Sequence, residues 1–303
     1  SGVAALVYEV AWAKMLALTF GSTTISVAAV VAGFMGGMGI GAWLFHRIEA
    51  SAVRPLVVYA FLEVGIALLA AALSHIAPQL PEFFAGVLGP SGSGIGPILI
   101  RFGSVFVLLA LPAILMGATF PALCAAMIHS ARGVDRHLGL VYGINTIGAA
   151  AGVVLAGFVL IEHLGLLGST YVGNALNVIV ALAAFALART AIGRPSDRRT
   201  IPAADAIIET DLPRRLTGIV LLGSGFATLA YEILWFRSLH YLVGNATYAI
   251  TTMLVIFLVG LGVGGLFLGA VARRRFPERD LALTQILIAV LALVAMAIQW
   301  LLA

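Results

Sequence analysis

Two glutamates sit in runs too apolar to carry them without help. Tyr8-Glu9, with Trp12 and Lys14 close behind, falls in the apolar run 2–20, and Tyr231-Glu232, with Trp235 and Arg237, falls in 215–243. An acidic side chain at the centre of a membrane helix costs roughly 2.5–3.5 kcal/mol on insertion scales, and more if it faces lipid. Both glutamates must therefore face an interior that offers a partner or water. Such a position holds a solute, a proton or an ion pair. Lys14 and Arg237 each follow their glutamate by five positions, about 140° around a helix, so pairing within one helix is poor. Crosswise pairing, Glu9 with Arg237 and Glu232 with Lys14, would instead lock two parts of the chain together. Contact with another subunit is the third use for such charges.

The two glutamates belong to one repeated stretch. Ser1-Gly2-Val3-Ala4-Ala5-Leu6-Val7-Tyr8-Glu9-Val10-Ala11-Trp12 returns as Ser224-Gly225-Phe226-Ala227-Thr228-Leu229-Ala230-Tyr231-Glu232-Ile233-Leu234-Trp235. Further on, Lys14 answers Arg237, Gly21 answers Gly244 and Thr24 answers Thr247. Gly37, Gly39 and Gly41 then answer Gly260, Gly262 and Gly264, always 223 positions on. Hydrophobic composition alone does not reproduce Tyr-Glu, Trp and a spaced glycine ladder together, so this is an internal duplication. Glu63, in the third apolar run, has no acidic counterpart at the aligned position and ranks below the pair.

The elements that position these residues follow from composition. The chain of 303 residues is 62% hydrophobic and 10% charged, too few polar residues to cover a water-soluble surface. Apolar runs of about 20 residues, the length of a membrane-crossing helix, recur along it. We place nine spans at roughly 2–20, 23–45, 55–75, 100–128, 139–161, 167–188, 215–243, 246–270 and 281–302. The expected fold is an all-α integral membrane protein. A first six-helix repeat covers 1–188, a polar linker 189–214, and a partial second repeat of three helices 215–303. Fourteen of the 17 basic residues lie in alternate connections: Arg47 and Arg54, Arg132 and Arg136, six arginines over 189–215, and Arg273 to Arg279. The net charge of +4 is thus a topology signal. It places those connections and the start of the first span in the cytoplasm and argues against nucleic acid as a partner. The lipid bilayer is the partner that composition demands.

Other features read mainly as packing. Gly33, Gly37 and Gly41 mark one face of span two, spaced so that a neighbouring backbone approaches closely. Gly148 and Gly152 do the same in span five, where Asn145 and Thr146 bond across helices, as Asn174 and Asn177 do in span six. Span four carries Pro112, Gly117 and Pro121, which make it either a hinge or a static kink. Leu80–Leu88 reads as a short amphipathic helix in the long connection 76–99. Cys124 is the single cysteine, and His46, His129 and His137 lack metal-ligand spacing, so neither a disulfide nor a metal or other cofactor is expected.

The duplicated Ser-Gly-x-Ala-x-Leu-x-Tyr-Glu-x-x-Trp motif resembles the membrane portion of bacterial fused proteins that join a major-facilitator-like half to a spermidine-synthase-like half. Leu115-Met116-Gly117-Ala118-Thr119-Phe120-Pro121 and Tyr142-Gly143-Ile144-Asn145-Thr146-Ile147-Gly148-Ala149 are similar to motifs of the same family. The resemblance implies a bacterial inner membrane and a major-facilitator-like six-helix repeat, with spans one and seven facing each other across a central cavity. Glu9 and Glu232 would then form one acidic site near mid-membrane. Tyr8, Trp12, Tyr231 and Trp235 would add cation–π contacts, together suiting a small organic cation such as a polyamine. The synthase half would need a Rossmann-like domain, and the Gly-x-Gly stretches here lie inside apolar helical runs without a preceding strand. The expectation is therefore a transporter-like, non-enzymatic membrane domain. The alternative is a scaffold, either anchoring a synthase domain or serving as an accessory subunit of a larger membrane complex.

Overall fold

A computed structural model describes residues 1–20, 24–48, 54–88, 94–127, 134–190, 214–271 and 277–302. Nearly all of them are helical, and no strand occurs among them. Lipid offers no partner to backbone N–H and C=O groups, so apolar runs of this length satisfy them internally as helices. Ten α-helices result: α1 (Gly2–Phe20), α2 (Thr24–Ile48), α3 (Pro55–Ile76), α4 (Leu80–Leu88), α5 (Ile95–Met127), α6 (Val134–Leu155), α7 (Ile161–Thr190), α8 (Arg214–Val243), α9 (Ala246–Val271) and α10 (Pro277–Leu302). Six stretches of the described residues are long and apolar enough to cross a membrane: Ala28–Arg47, Pro55–Leu88, Ile95–Met127, Gly139–Thr190, Arg215–Val243 and Ala246–Phe267. These six overlap seven of the nine crossings expected from sequence; of the other two, 2–20 forms helix α1 and 281–302 contains the shorter apolar helix Ala282–Ile298. Gly139–Thr190 counts once there, although it contains a reversal of the chain.

That reversal is local chemistry. A π-helical turn, Ala156–Leu160, leads into α7, and Gly165 adopts φ 69°, ψ −174°, a conformation that essentially only glycine enters. On one side of it α6 runs beside α1 in the same direction: Gly2 N–H donates to Asn145 Oδ1 (3.1 Å), and Gly152 abuts the Val3 backbone. On the other side α7 runs against α1, with Tyr8 beside Gly173 and Leu166 packed against both cores that α1 enters. The α8–α9 turn is equally defined. Gly244, at φ 69°, ends α8 with its N–H on the His240 carbonyl (2.9 Å). Asn245 then caps α9, its Oδ1 accepting from the N–H groups of Thr247 (2.9 Å) and Tyr248 (3.3 Å).

Small residues set the tightest pair. Gly33, Gly37 and Gly41 of α2 lie against Leu109, Ala110, Ala113 and Ile114 of α5, and Gly117 of α5 lies against the Met38 backbone. The helices run parallel, their backbones closer than side chains would allow. α5 continues through Pro112 and Pro121 as one helix, and the face between the prolines is pressed onto α2. Gly117 is thus a contact point for a neighbouring backbone.

α1 is central. Tyr8, Trp12, Met15 and Leu16 enter a core shared with α2, α3, α4 and α5, whereas Leu6, Val7 and Val10 enter a second core with α6, α8 and α9. Leu80 and Phe84 of the amphipathic α4 close the first core, while Phe83 and Val87 face outward. Helix directions alternate along the chain. Of the described arginines, Arg47, Arg54, Arg189, Arg215 and Arg279, each near a helix terminus, therefore gather at one end of the bundle, whereas Arg101 lies near the start of α5, at the other end, and Arg237 within α8. Arg132, Arg194, Arg198, Arg199, Arg273, Arg274, Arg275, His129 and linker residues 191–213 lie outside the described residues.

Candidate functional site

The duplication brings its two glutamates to one cavity. Glu9 of α1 and Glu232 of α8 line a space of about 50 Å³ together with Ala13, Lys14 and Ala17 of α1. Val30 and Val31 of α2, Phe236 of α8, and Ala246, Thr247 and Ile250 of α9 complete its wall. A single water needs about 10–15 Å³ measured this way, so the space holds a few waters or one small ion with an alkyl tail. Its lining shows where it lies. Ala17 is near the end of α1 and Ala246 opens α9, so the cavity occupies the half of the bundle away from the arginine-rich end.

Both carboxylates are 2% exposed. Glu9 Oε2 and Glu232 Oε1 have no hydrogen-bond partner, from Lys14 or from any other group, and Glu232 acts electrostatically on Glu9. Buried charge of this kind is costly unless something completes it. The repeat register accounts for the arrangement. Glu9 and Ala13 are one turn apart on one face of α1, and their counterparts Glu232 and Phe236 share one face of α8. Phe236 and Thr247 were not singled out from sequence as site residues, yet the 223-residue offset pairs them with Ala13 and Thr24.

The aromatic part of the expected site lies elsewhere. Tyr8 and Trp12 are stacked at 5.1 Å and fully buried in the first core, where Tyr8 Oη donates to Asn174 Oδ1 (2.8 Å). Tyr8 leaves α1 about 100° and Trp12 about 60° from Glu9, on the same side of it, and Tyr8 turns towards α7. Tyr231 and Trp235 are half-buried, and neither lines the cavity. Lys14 does line it, but Arg237 is exposed on α8, so the crosswise pair Glu9–Arg237 does not form. Glu63 is wholly buried against Tyr59 and Ser1, apart from the cavity. Pro112, Gly117 and Pro121 of α5 do not line it either. No cluster of three or more His, Cys, Asp or Glu side chains suited to a metal occurs among the described residues.

A second tie lies on the same side of the bundle: Tyr248 Oη donates to the carboxylate of Glu162, and the Tyr248 ring stacks on Phe158 at 5.6 Å. It fastens the first turn of α9, which carries Thr247, to the reversal between α6 and α7. Compared with known protein families, with characterised proteins and with solved structures, the chain matches none.

Proposed function

We propose that this chain is a transporter-like, solute-binding membrane domain whose ligand is a small aliphatic ammonium ion held between Glu9 and Glu232. One observation carries the reading: two buried carboxylates with unpartnered oxygens share a cavity. The rest of the lining narrows the ligand class. Hard metal cations take about six oxygen donors, whereas the walls offer alanine, valine, isoleucine and phenylalanine, with Thr247 as the further hydroxyl. An alkylammonium suits such walls, its charge on the carboxylates and its carbon chain against the apolar lining. The family resemblance of the Tyr-Glu-x-x-Trp repeat supports transport and a bacterial inner membrane. With the arginine end in the cytoplasm, as the positive-inside rule has it, the cavity lies towards the opposite side. A polyamine is one ligand with the required ammonium group.

The test is binding of labelled butylamine, with spermidine and other alkylamines as competitors, to the purified protein in nanodiscs. Glu9→Gln and Glu232→Gln are compared with wild type, and thermal stability is followed in parallel. Saturable binding that both substitutions weaken at least about tenfold, at unchanged stability, is the expected result. No binding to wild type, with both variants destabilised, would identify the glutamates as a structural lock.

A second reading, a membrane scaffold or accessory subunit, is favoured by the other half of the repeat. Gly225, Gly260 and Gly264 have nothing within 4 Å of an added Cβ, whereas their counterparts Gly2, Gly37 and Gly41 are pressed against α6 and α5. Those open small-residue faces of α8 and α9 would accept a further helix. Co-purification of the protein from mildly solubilised membranes with a stoichiometric membrane partner is the result that would support it.

A further inference from the structure

A second hollow, of about 570 Å³, lies between the amphipathic α4 and the first turns of α5. Its size falls within the ~300–1,000 Å³ typical of small-molecule pockets. Phe83 and Phe84 of α4 and Val107 and Leu108 of α5 supply apolar walls, and Gln79 and Ser104 are its polar residues. Phe83 and Val107 are more than half exposed, so the hollow opens on the lipid-facing side of the bundle. Gly103 also lines it, and a Cβ added there would meet nothing within 4 Å. α5 has 33 residues, about 50 Å of helix against ~30 Å of hydrocarbon. A centred helix of that length stands about 10 Å into the headgroup layer at each end, and Arg101 lies about 9 Å from the start of α5. On the same face of α5, Ser104 follows one turn and Leu108 two turns deeper. Arg101 has no hydrogen-bond or ion-pair partner among the described residues. Helical side chains lean towards the helix start, which carries its guanidinium to the headgroup side of the hollow.

We infer that this hollow binds one anionic phospholipid from the leaflet opposite the arginine-rich end. The phosphate pairs with Arg101, the Ser104 hydroxyl donates to an ester carbonyl, and an acyl chain runs between Phe83, Val107 and Leu108. Guanidinium and phosphate match in charge and in geometry. The shape of the hollow favours a chain over a protein helix. It follows α5 only from Gly103 to Leu108, about one and a half turns, and α4 is 9 residues long. A membrane-crossing helix needs a face of about 20 residues, whereas a flexible acyl chain needs only the hollow. None of these residues lines the cavity of Glu9 and Glu232, so the lipid site stands independently of ammonium binding.

The experiment is native mass spectrometry of the purified protein in detergent, titrated with dioleoyl phosphatidylglycerol or with dioleoylglycerol, which has the same chains and no phosphate. Wild type is expected to retain one phosphatidylglycerol in preference to dioleoylglycerol by about fivefold, the scale of one arginine acting on an anionic lipid. Arg101→Gln should abolish that preference, and Arg101→Lys should keep it. Gly103→Phe fills the hollow and should lower retention of both lipids at least about tenfold, the loss of about two buried methylenes, at an unchanged melting midpoint. Should Gly103→Phe fail to fold, Val107→Trp fills the same space from an exposed position. Excess inorganic phosphate should not displace the lipid; displacement would reduce the site to an anion contact and overturn the lipid. Unchanged retention in Gly103→Phe or Val107→Trp overturns the hollow as the site. Equal retention of the two lipids by wild type, or an unchanged preference in Arg101→Gln, overturns the phosphate contact. A wild type that retains neither lipid and runs as a dimer, which Gly103→Phe dissociates, would make a second copy the occupant instead.

Discussion

Adding one methyl group at successive glycines of α2 gives a graded test of the α2–α5 contact. A Cβ at Gly39 would meet nothing within 4 Å, and one at Gly33 would come to 3.2 Å from Leu109 Cβ. At Gly37 it would lie 2.7 Å from Ala113 Cβ and 2.9 Å from the Ala110 carbonyl oxygen, and at Gly41 it would overlap the Ile114 carbonyl. Ordinary contact begins near 3.4 Å, so Gly37→Ala drives the helices apart by 3.4 − 2.7 = 0.7 Å, and Gly41→Ala by more. None of these neighbours is a flexible side-chain end, so the displacement falls on the whole pair. Overpacking of this kind costs about 1–3 kcal/mol, and a helical glycine-to-alanine change returns about 0.5–1 kcal/mol. Gly39→Ala should be neutral or slightly stabilising, Gly33→Ala near zero, Gly37→Ala destabilising by about 1–2 kcal/mol, and Gly41→Ala by about 3 kcal/mol or more. The assay is the midpoint of thermal or SDS-induced unfolding in one detergent, read by tryptophan fluorescence. Equal destabilisation at Gly39 and Gly41, or none at Gly41, would refute the backbone-close packing. Because Val30 and Val31 on the same helix line the cavity, alkylamine affinity should fall in the same order as stability.

Two further substitutions separate local geometry from ligand binding. Gly165→Ala should cost about 1–3 kcal/mol through its positive φ alone, since a Cβ there meets nothing within 4 Å. Gly103→Ala, in open space within regular helix, should show no such loss in the same melting assay. Tyr8→Phe removes the hydrogen bond to Asn174 and should destabilise by about 1 kcal/mol, with alkylamine affinity unchanged because Tyr8 lies outside the cavity. Loss of binding at unchanged stability in Tyr8→Phe would restore the tyrosine to the site.

Particular elements show how far the sequence carried. The amphipathic Leu80–Leu88, the start of α3 at Pro55 and the ends of α8 and α9 near Gly244 were legible because apolar run length and turn residues are local signals. The glycine face of α2 was legible as a packing surface, but its partner was not. Nothing local says that Gly37 meets Ala113, 76 positions on. The site was legible in its acids and misread in its aromatics. Tyr8, Glu9 and Trp12 are neighbours in sequence, but at about 100° per residue adjacent side chains leave the helix in different directions. A one-dimensional motif therefore joined groups that serve two different cores.

By itself, the sequence determined the class of the protein, the approximate positions of its helices, the alternation of its arginine-bearing ends and the duplication that pairs Glu9 with Glu232. These follow from composition, run length and a constant offset, none of which depends on how helices pack. Only the tertiary structure decided that α1 divides two cores, that Tyr8 turns to α7 while Glu9 shares a cavity with Glu232 of α8, and that Lys14 lines that cavity while Arg237 does not. A repeat in sequence does not impose symmetry on its surroundings. α1 is wrapped by α6 and α7, whereas the corresponding faces of α8 and α9 are open, and equivalent residues there meet different neighbours.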